Sequence, residues 1–343
     1  MGKPGRGTDR EGSKTLTATD SRTAGLSDRK TFTEPELWAL VGNTPMLSVR
    51  LSDRQTVRLK CEWLNPGGSV KDRPALFILR DGLARGELPG KRLLDASSGN
   101  TAIAYAMLGA AAGIGVTVCV PANASRERRA LLRAYGAEAI FTDPLEGADG
   151  AIRTARDLAG AHPGRYWYAD QYNHPANPQA HYLTTADEIW RQTDGRITHL
   201  VAGVGTTGTL MGAGRRLKEW NPRVALIAVQ PDGPFHGLEG LKHLATALVP
   251  GIYDPALPDR TEFVTTEEAE ERVRVLARDA GLLVGWSTGA ALVAAARLVR
   301  GLSDRPTVRP SDTVVVVVAP DAGTRYLSEA ERLGGRGGEE EVP

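Results

Sequence analysis

The sequence predicts an α/β protein built on two doubly wound parallel sheets. From about Leu93, short apolar runs alternate with amphipathic segments: "RLLDA" and "NTAIAYAMLGAAAG", "GVTVCV" and "SRERRALLRAYG", "EAIFTD" and "ADGAIRTARDLAG". A second series runs from "THLVAGV" through "GTLMGAGRRLKEW" and "VALIAVQ" to "DTVVVVVA". This alternation is typical of parallel strands covered by helices on both faces. We therefore expect two α/β layers with a cleft between them.

Capping signals predict two helices near the carboxyl terminus. The segment "TTEEAEERVRVLARDAG" opens with Thr265 or Thr266 and a Glu three residues later, and it closes at Gly281. The segment "STGAALVAAARLVRG" begins in the same manner at Ser287 or Thr288.

Composition and charge exclude several classes of function. The 343 residues carry 42 basic and 41 acidic side chains, a net charge of +1, so no long-range field favours nucleic acid or an anionic membrane. No apolar run approaches the ~20 residues of a membrane helix, and the first residues do not resemble a secretory signal. We expect a cytoplasmic protein with no membrane or nucleic-acid partner.

The chain ends and the cysteines complete this outline. Residues 1–32 are poor in apolar side chains and predict a disordered tail, and residues 333–343 predict a flexible acidic terminus. Cys61 and Cys119 lie in apolar runs that read as strands, which favours core packing over a disulfide or a metal site.

A lysine follows a glycine turn in "EWLNPGGSVKDRPALFILRDGLARGEL". A strand is expected to end at about Trp63 and a helix to begin near Val70, which places Lys71 in the first helical turn. The helix dipole disfavours an ammonium group there but suits a neutral amine or an imine. A solvated lysine beside Asp72 and Arg73 is the other interpretation, and this segment alone leaves both open.

A polar cluster in "LLDASSGNTAIAYA" stands between a strand and a helix of small residues. Hydroxyls and free backbone N–H groups at a helix N-terminus bind carboxylates. Simple capping would use one of these side chains and would not explain four polar residues around Gly99. The pattern favours an anion site formed by Ser97, Ser98, Asn100 and Thr101.

A third segment, "AGVGTTGTLMGAG", has the glycine spacing of a dinucleotide-binding turn. The glycines in that spacing are Gly203, Gly205 and Gly208, and the threonines among them are Thr206, Thr207 and Thr209. A dinucleotide site also expects an acid at the end of the next strand, where only Asp232 is a late candidate. The hydroxyls among the glycines favour a terminal phosphate monoester over a bridging pyrophosphate.

These segments in this order resemble the fold type II pyridoxal phosphate enzymes (tryptophan synthase β-like), specifically the cysteine synthase and cystathionine β-synthase family. Matching segments between about Leu37 and Ser328 are "LVGNTPML", "NPGGSVKDR", "SSGNT", "DQYNHPANPQAHYLTTADEIW", "GVGTTGT", "GWSTGAA" and "RYLS". The resemblance implies a large cofactor-binding domain (33–78 plus 180–332), a small mobile domain that closes over substrate (79–179), and pyridoxal phosphate in the cleft between them.

The resemblance also implies roles for individual residues. Lys71 would form the internal aldimine and act as acid and base at Cα, while Asn100 would hydrogen-bond the ring hydroxyl. Ser287 would face the pyridine nitrogen, and because serine is neutral the ring would stay unprotonated, which favours β-elimination. The phosphate cup would be Gly205, Thr206, Thr207, Gly208 and Thr209, and the substrate-carboxylate site Ser97, Ser98, Thr101 and Gln171.

Details of the segments narrow the activity. Dehydratases and racemases of this fold usually carry an all-glycine phosphate loop and a phenylalanine before the lysine, whereas this chain has "GTTGT" and "SVK". The short segment "FHGLEGLKHLATALVPGIYDP" resembles the B-type cysteine synthases. We expect a homodimer that replaces the leaving group of O-phosphoserine or O-acetylserine with sulfur through an α-aminoacrylate, giving L-cysteine. Sulfide, a larger sulfur compound or a thiocarboxylated carrier protein would be the donor.

Three alternatives stay open. The chain could join serine with homocysteine as a cystathionine β-synthase, use a non-sulfur nucleophile in a specialised pathway, or bind pyridoxal phosphate without catalysis. Arg215 bears on the leaving group, because B-type enzymes that use O-phosphoserine have an arginine at this position in contact with the phosphate. Surface exposure of Arg215 and Arg216 is the other interpretation.

Overall fold

The computed structural model describes residues 32–52, 55–97, 99–303 and 313–329. The described residues from Pro35 onward belong to one compact unit. The predicted tails, apart from Phe32, and Ser98 lie outside the described residues. No helix in the described ranges is both long and apolar enough to cross a membrane.

Ten strands of the described residues build the two sheets. In chain order they are β1 (Met46–Ser52), β2 (Gln55–Cys61), β3 (Arg92–Ala96), β4 (Val116–Pro121), β5 (Glu138–Thr142), β6 (Tyr166–Tyr168), β7 (His199–Gly203), β8 (Ala225–Pro231), β9 (Arg260–Val264) and β10 (Val315–Ala319). The larger sheet has the order β1-β2-β10-β7-β8-β9, and the smaller has the order β5-β4-β3-β6. Among these ten strands every pairing is parallel except that of β1 with β2, so the predicted parallel sheets carry one antiparallel edge strand.

Helices connect and cover these strands. They are α1 (Asp72–Ala84), α2 (Asn100–Ala111), α3 (Arg126–Ala134), α4 (Gly147–Ala161), α5 (Ala176–Ala180), α6 (Ala186–Gln192), α7 (Gly208–Trp220), α8 (Thr266–Ala280) and α9 (Trp286–Ser303). A π-helical turn, His181–Thr185, joins α5 to α6. The predicted alternation of strands and helices is confirmed in both series.

Strand β10 explains why its segment reads as an unbroken apolar run. Val315 and Val317 pack into one hydrophobic cluster, whereas Val316 and Val318 pack into another on the opposite face of the sheet. Because both faces are covered, every position of the strand is buried and apolar. Cys61 on β2 and Cys119 on β4 are buried free thiols, as predicted.

The start of α8 agrees with the position predicted from the sequence, whereas the starts of α9 and α1 differ from it. Thr265 caps α8 through a reciprocal pair of hydrogen bonds with Glu268, each 3.1 Å long. Helix α9 begins at Trp286, because the amides of Thr288 and Gly289 already bond the carbonyl of Gly285. Ser287 therefore lies in the first turn and is not the cap that the sequence predicted. Helix α1 begins at Asp72, so Lys71 immediately precedes the helix.

A buried network of charges holds the start of α1 to the larger sheet. Arg73 Nε and Nη2 donate to the two carboxylate oxygens of Glu62 at 2.6 and 2.7 Å, and Nη1 and Nη2 donate to those of Glu188 at 2.7 Å each. Lys60 Nζ on β2 donates to Glu188 Oε2 at 2.5 Å. Burial would raise the pKa of Glu188, but the hydrogen bonds and charges of Arg73 and Lys60 outweigh it and lower the pKa to about 2.

We expect Glu188→Gln to destabilise the protein by about 3–5 kcal/mol, because it leaves two buried cations facing one carboxylate. Urea unfolding at pH 7 measures this, and Asp187→Asn, an exposed ion-paired residue on the same helix, is the matched control that should change the midpoint little. In the wild type, the stability supplied by Glu188 is present above its usual pKa of 4.5 and is lost as pH falls towards about 2. An equal effect of both variants would contradict a structural role for the network.

Candidate active site

A cavity lies where the carboxyl ends of β3, β7 and β10 meet the start of α1, the edge at which parallel sheets bind ligands. Ten of the residues with a predicted role in binding or catalysis line it together: Lys71, Ser97, Asn100, Thr101, Gln171, Gly205, Thr206, Thr207, Thr209 and Ser287. Among the described residues that were predicted, Gly208 and Arg215 do not line this cavity.

Lys71 is partly buried at the entrance to α1, where its backbone N–H donates to Ser69 Oγ at 3.3 Å. Burial lowers the pKa of the Lys71 amine, and the negative charge of Asp321 opposes this by raising it. The lowering prevails, so the neutral amine that can attack a carbonyl is more accessible than for a solvated lysine.

The glycine and threonine loop between β7 and α7 has the features of a phosphate cradle. A side chain at Gly205 would collide with the carbonyl oxygen of Gly240, and one at Gly208 would collide with the amide of Asn177. Thr207 has a left-handed backbone, with φ of 69°, and its buried Oγ1 has no hydrogen-bond partner among the described residues. The first amides of α7 have no intrahelical partner either, so the loop offers several donors to one anion.

A buried histidine, His181, lies within hydrogen-bond distance of this loop. His181 Nε2 lies 3.3 Å from Thr209 Oγ1, and His181 Nδ1 lies 2.9 Å from Thr185 Oγ1. Burial, with the positive charge of Arg73 as a second cause, lowers the pKa of His181 to about 3. The imidazole is therefore neutral at pH 7 and contributes hydrogen bonding rather than charge.

Asn100 stands at the N-terminus of α2 and belongs to a hydrogen-bonded trio that the sequence analysis missed. Asn100 Nδ2 donates to Asp321 Oδ2 at 2.6 Å, and Tyr326 OH donates to the same oxygen at 2.6 Å. The signal that could have found Asp321 is its place just after β10, at the carboxyl edge of a strand buried on both faces.

The predicted carboxylate site is a tight hydrogen-bonded loop. Ser97 Oγ accepts from the backbone N–H groups of Gly99 and Ala102 at 3.2 Å each. Thr101 Oγ1 donates to Gln171 Oε1 at 2.7 Å, and Gln171 Nε2 donates to the carbonyl of Ala96 at 2.7 Å. These bonds hold the polar side chains at the carboxyl end of β3, where they face the cavity.

Two ion pairs at the mouth of the cavity also escaped the sequence analysis. Arg128 on α3 pairs with Glu239, and Lys242 pairs with Asp149 on α4 at 2.8 Å. A second cavity of about 560 Å³ shares Arg128, Glu239 and Lys242 with the first and is also lined by Asp149. Each pair joins a helix beside the smaller sheet to the segment that follows β8.

Arg215 has a different environment from the one its predicted role requires. Its side chain is 51% exposed and lies 3.4 Å from Asp254. Arg215 is on the second turn of α7, about 10 Å along the axis from the residue that begins the helix. Contact with a ligand in the cavity would require Arg215 to leave Asp254.

The residues present fit pyridoxal phosphate on two independent grounds. Thr207 Oγ1 and Asn100 Oδ1 are buried polar atoms without partners among the described residues, which is unfavourable unless a ligand supplies them. Lys71, with its lowered pKa, lines the same cavity and is suited to hold an aldehyde. A phosphate cradle, a polar amide and an amine correspond to the phosphate, hydroxyl and aldehyde of this cofactor.

Comparisons with known proteins agree with this geometry. Residues 37–319 match the family model described as "Pyridoxal-phosphate dependent enzyme". A cysteine synthase of Aquifex aeolicus (strain VF5) is 50% identical over 298 residues, which cover 85% of this chain and 90% of the relative. Cysteine synthase B of Escherichia coli (strain K12) is 40% identical over 292 residues, covering 84% and 93%.

Among solved structures, an O-ureido-L-serine synthase superimposes with a TM-score of 0.80 at 34% identity, covering 89% of this chain and 96% of that one. The predicted fold type II architecture, with parallel sheets in two domains, is thereby confirmed. The chain belongs to the fold type II pyridoxal-phosphate dependent enzymes, in the cysteine synthase family.

Proposed function

We propose that this protein is a cysteine synthase that replaces the leaving group on Cβ of an O-activated L-serine with a sulfur nucleophile. The observation that carries the proposal is the meeting of Lys71, Asn100 and Thr207 in one cavity, with buried polar atoms of the latter two unpartnered among the described residues. The identities with cysteine synthases over most of the chain support the same reaction.

The protein's own residues divide the work in this proposal. The loop from Gly205 to Thr209 holds the cofactor phosphate, and Asn100 and Ser287 contact its ring. Ser97, Thr101 and Gln171 hold the substrate carboxylate, with Ser98 as an expected fourth member. When bound, pyridoxal phosphate delocalises the negative charge that develops at Cα.

Lys71 is the base in this proposal. Its Nζ removes the proton from Cα, the Cβ–O bond breaks with its electron pair leaving on oxygen, and the sulfur nucleophile forms the Cβ–S bond. The same amine then returns the proton to Cα, so the products are L-cysteine and the departed acid. The lowered pKa of Lys71 suits both proton transfers, because a base works best when it is unprotonated near the working pH.

A second candidate is a synthase that uses a non-sulfur nucleophile on the same scaffold. The structural similarity to an O-ureido-L-serine synthase favours it specifically. Steady-state assays of O-acetylserine, O-phosphoserine and serine with sulfide, thiosulfate, homocysteine and hydroxyurea distinguish the candidates. Highest kcat/KM with sulfide or thiosulfate supports the proposal. Preference for homocysteine would indicate a cystathionine β-synthase, and preference for hydroxyurea would indicate the second candidate.

The proposal extends to assembly and donor. We propose a homodimer that works in the cytoplasm and takes sulfur from a small-molecule donor or from a thiocarboxylated carrier protein. The second cavity, which adjoins the first at the mouth, supports access for a donor larger than sulfide.

Lys71→Ala should abolish turnover, because it removes both the amine proposed to hold the cofactor and the base proposed to act at Cα. Borohydride reduction of the holoenzyme followed by peptide mass mapping should find pyridoxal phosphate on Lys71. The matched control is Lys242→Ala, since Lys242 lines the same cavity, and that variant should keep the adduct. An adduct on any other lysine in the wild type contradicts the assignment.

Ser287→Asp should slow β-elimination at least about ten-fold, or about 1.4 kcal/mol, while the cofactor stays bound. A carboxylate beside the ring nitrogen favours protonation of that nitrogen. The protonated ring withdraws more of the negative charge from Cα, so less of it is available to expel the leaving group from Cβ. Stopped-flow elimination from O-acetylserine measures the rate, and the neutral Ser287→Ala is the control expected to lose less. An unchanged elimination rate in Ser287→Asp would mean that Ser287 does not contact the ring nitrogen and serves only in the first turn of the helix.

Arg215→Ala tests the leaving group. From its exposed position beside Asp254 we expect less than about two-fold loss of kcat/KM with either O-phosphoserine or O-acetylserine. Arg216→Ala, one residue along α7, is the control. A selective loss of roughly ten-fold or more with O-phosphoserine would instead assign Arg215 to the leaving phosphate.

A further inference from the structure

Asp321 places a carboxyl group inside the active-site cavity. It directly follows Pro320 at the carboxyl end of β10, is 1% exposed, and lines the same cavity as Lys71. A buried carboxyl group is unfavourable unless hydrogen bonds or charges compensate it. Asp321 therefore needs hydrogen-bond donors or cations close to its carboxyl group.

The partners of Asp321 come from two separate parts of the chain. Asp321 Oδ2 accepts 2.6 Å hydrogen bonds from Asn100 Nδ2 and from Tyr326 OH. Asn100 begins α2, beside the smaller sheet, whereas Asp321 and Tyr326 follow the central strand of the larger sheet. The bond to Asn100 thus joins the two sheets inside the cavity.

The backbone holds Asp321 in this place. A side chain at Gly285 would collide with Asp321 Oδ1, and the N–H of Gly285 donates to the carbonyl of Asp321 at 3.0 Å. Gly285 immediately precedes α9, the helix whose first turn carries Ser287. The carboxyl group is therefore held by close packing as well as by its hydrogen bonds.

The bond determines which way the Asn100 amide points. Asp321 Oδ2 accepts the hydrogen bond from Asn100 Nδ2, so the NH2 end of the amide faces Asp321. Asn100 Oδ1 is then directed elsewhere, and it is buried without a partner among the described residues. We propose that Asp321 is a positioning residue that fixes the amide of Asn100 in the orientation that contacts the cofactor ring.

Two hydrogen-bond donors and two arginines partly compensate the burial of the Asp321 carboxyl group. Burial raises the pKa of Asp321, and the hydrogen bonds from Tyr326 and Asn100 and the nearby charges of Arg325 and Arg128 oppose that rise without cancelling it. Lys71 lines the same cavity, and the negative charge of Asp321 raises the pKa of that amine.

A double-mutant cycle between Asp321 and Asn100 tests the proposal. The readouts are the visible absorption band of the holoenzyme and the dissociation constant of pyridoxal phosphate, measured on Asp321→Ala, Asn100→Ala and the double variant. We expect Asp321→Ala to shift the band and weaken cofactor binding roughly ten-fold. In the Asn100→Ala background it should shift the band no further and weaken binding by less than about two-fold.

Two further variants separate positioning from a general effect on folding. Asp95→Asn changes a carboxyl on β3 that is buried to a similar degree and accepts hydrogen bonds from the backbone of Ala96 and Gln171, and its effects should add to those of Asn100→Ala. If Asp321→Ala is not recovered folded, Asp321→Ser replaces it in the cycle, because it removes the charge with a smaller loss of polarity. Additive effects of the Asp321 and Asn100 variants, or an unchanged band in the Asp321 variant, overturn the proposal.

This inference rests on the proposed position of the cofactor ring beside Asn100. The two can fail separately in the same experiment. If Asn100→Ala leaves the band unchanged, the ring does not lie there and both fail, whereas a shifted band with additive effects rejects the role of Asp321 alone.

Discussion

The buried ion network around Arg73 is the constraint on which the site depends. Arg73 lies two residues after Lys71, so the bonds that fix its guanidinium to Glu62 and Glu188 also fix where α1 begins. Apolar packing alone would allow the start of a helix to slide or rotate, because dispersion contacts have little direction. Buried charges that are fully paired hold the helix start in one place, since breaking any one ion pair leaves a buried charge without a partner.

Parallel sheets then bring the remaining parts of the site together. The polar loop at Ser97 follows β3, the phosphate cradle at Gly205 follows β7, and Asp321 follows β10. Because neighbouring parallel strands end at the same edge, segments far apart in the chain meet without any long loop reaching across the fold. The two sheets contribute opposite walls, and the hydrogen bond from Asn100 to Asp321 crosses between them.

Burial changes the pKa values of the basic groups in the site more than neighbouring charges do. Burial lowers the pKa of both Lys71 and His181, which favours their neutral forms. Asp321 opposes the effect of burial on Lys71, because its charge raises the pKa of that amine. Its Oδ2 also accepts the hydrogen bond that orients Asn100. A cofactor phosphate would be held by backbone and hydroxyl donors at the start of α7 rather than by a lysine or arginine of the loop.

Sequence alone determined the order of strands and helices and the capping box at Thr265, because periodicity and caps are local properties. Ten residues that line the cavity were also predicted, from the glycine turn, the polar cluster and the phosphate loop and, for Gln171 and Ser287, from the family resemblance. Tertiary structure alone decided that Arg215 stands outside the cavity and that Asp321 stands inside it. Both are single charged residues with no local pattern, so their roles depend on which segments the sheets bring into contact. That contact is made across 221 positions of the chain between Asn100 and Asp321, a separation over which a residue pattern carries no distance information.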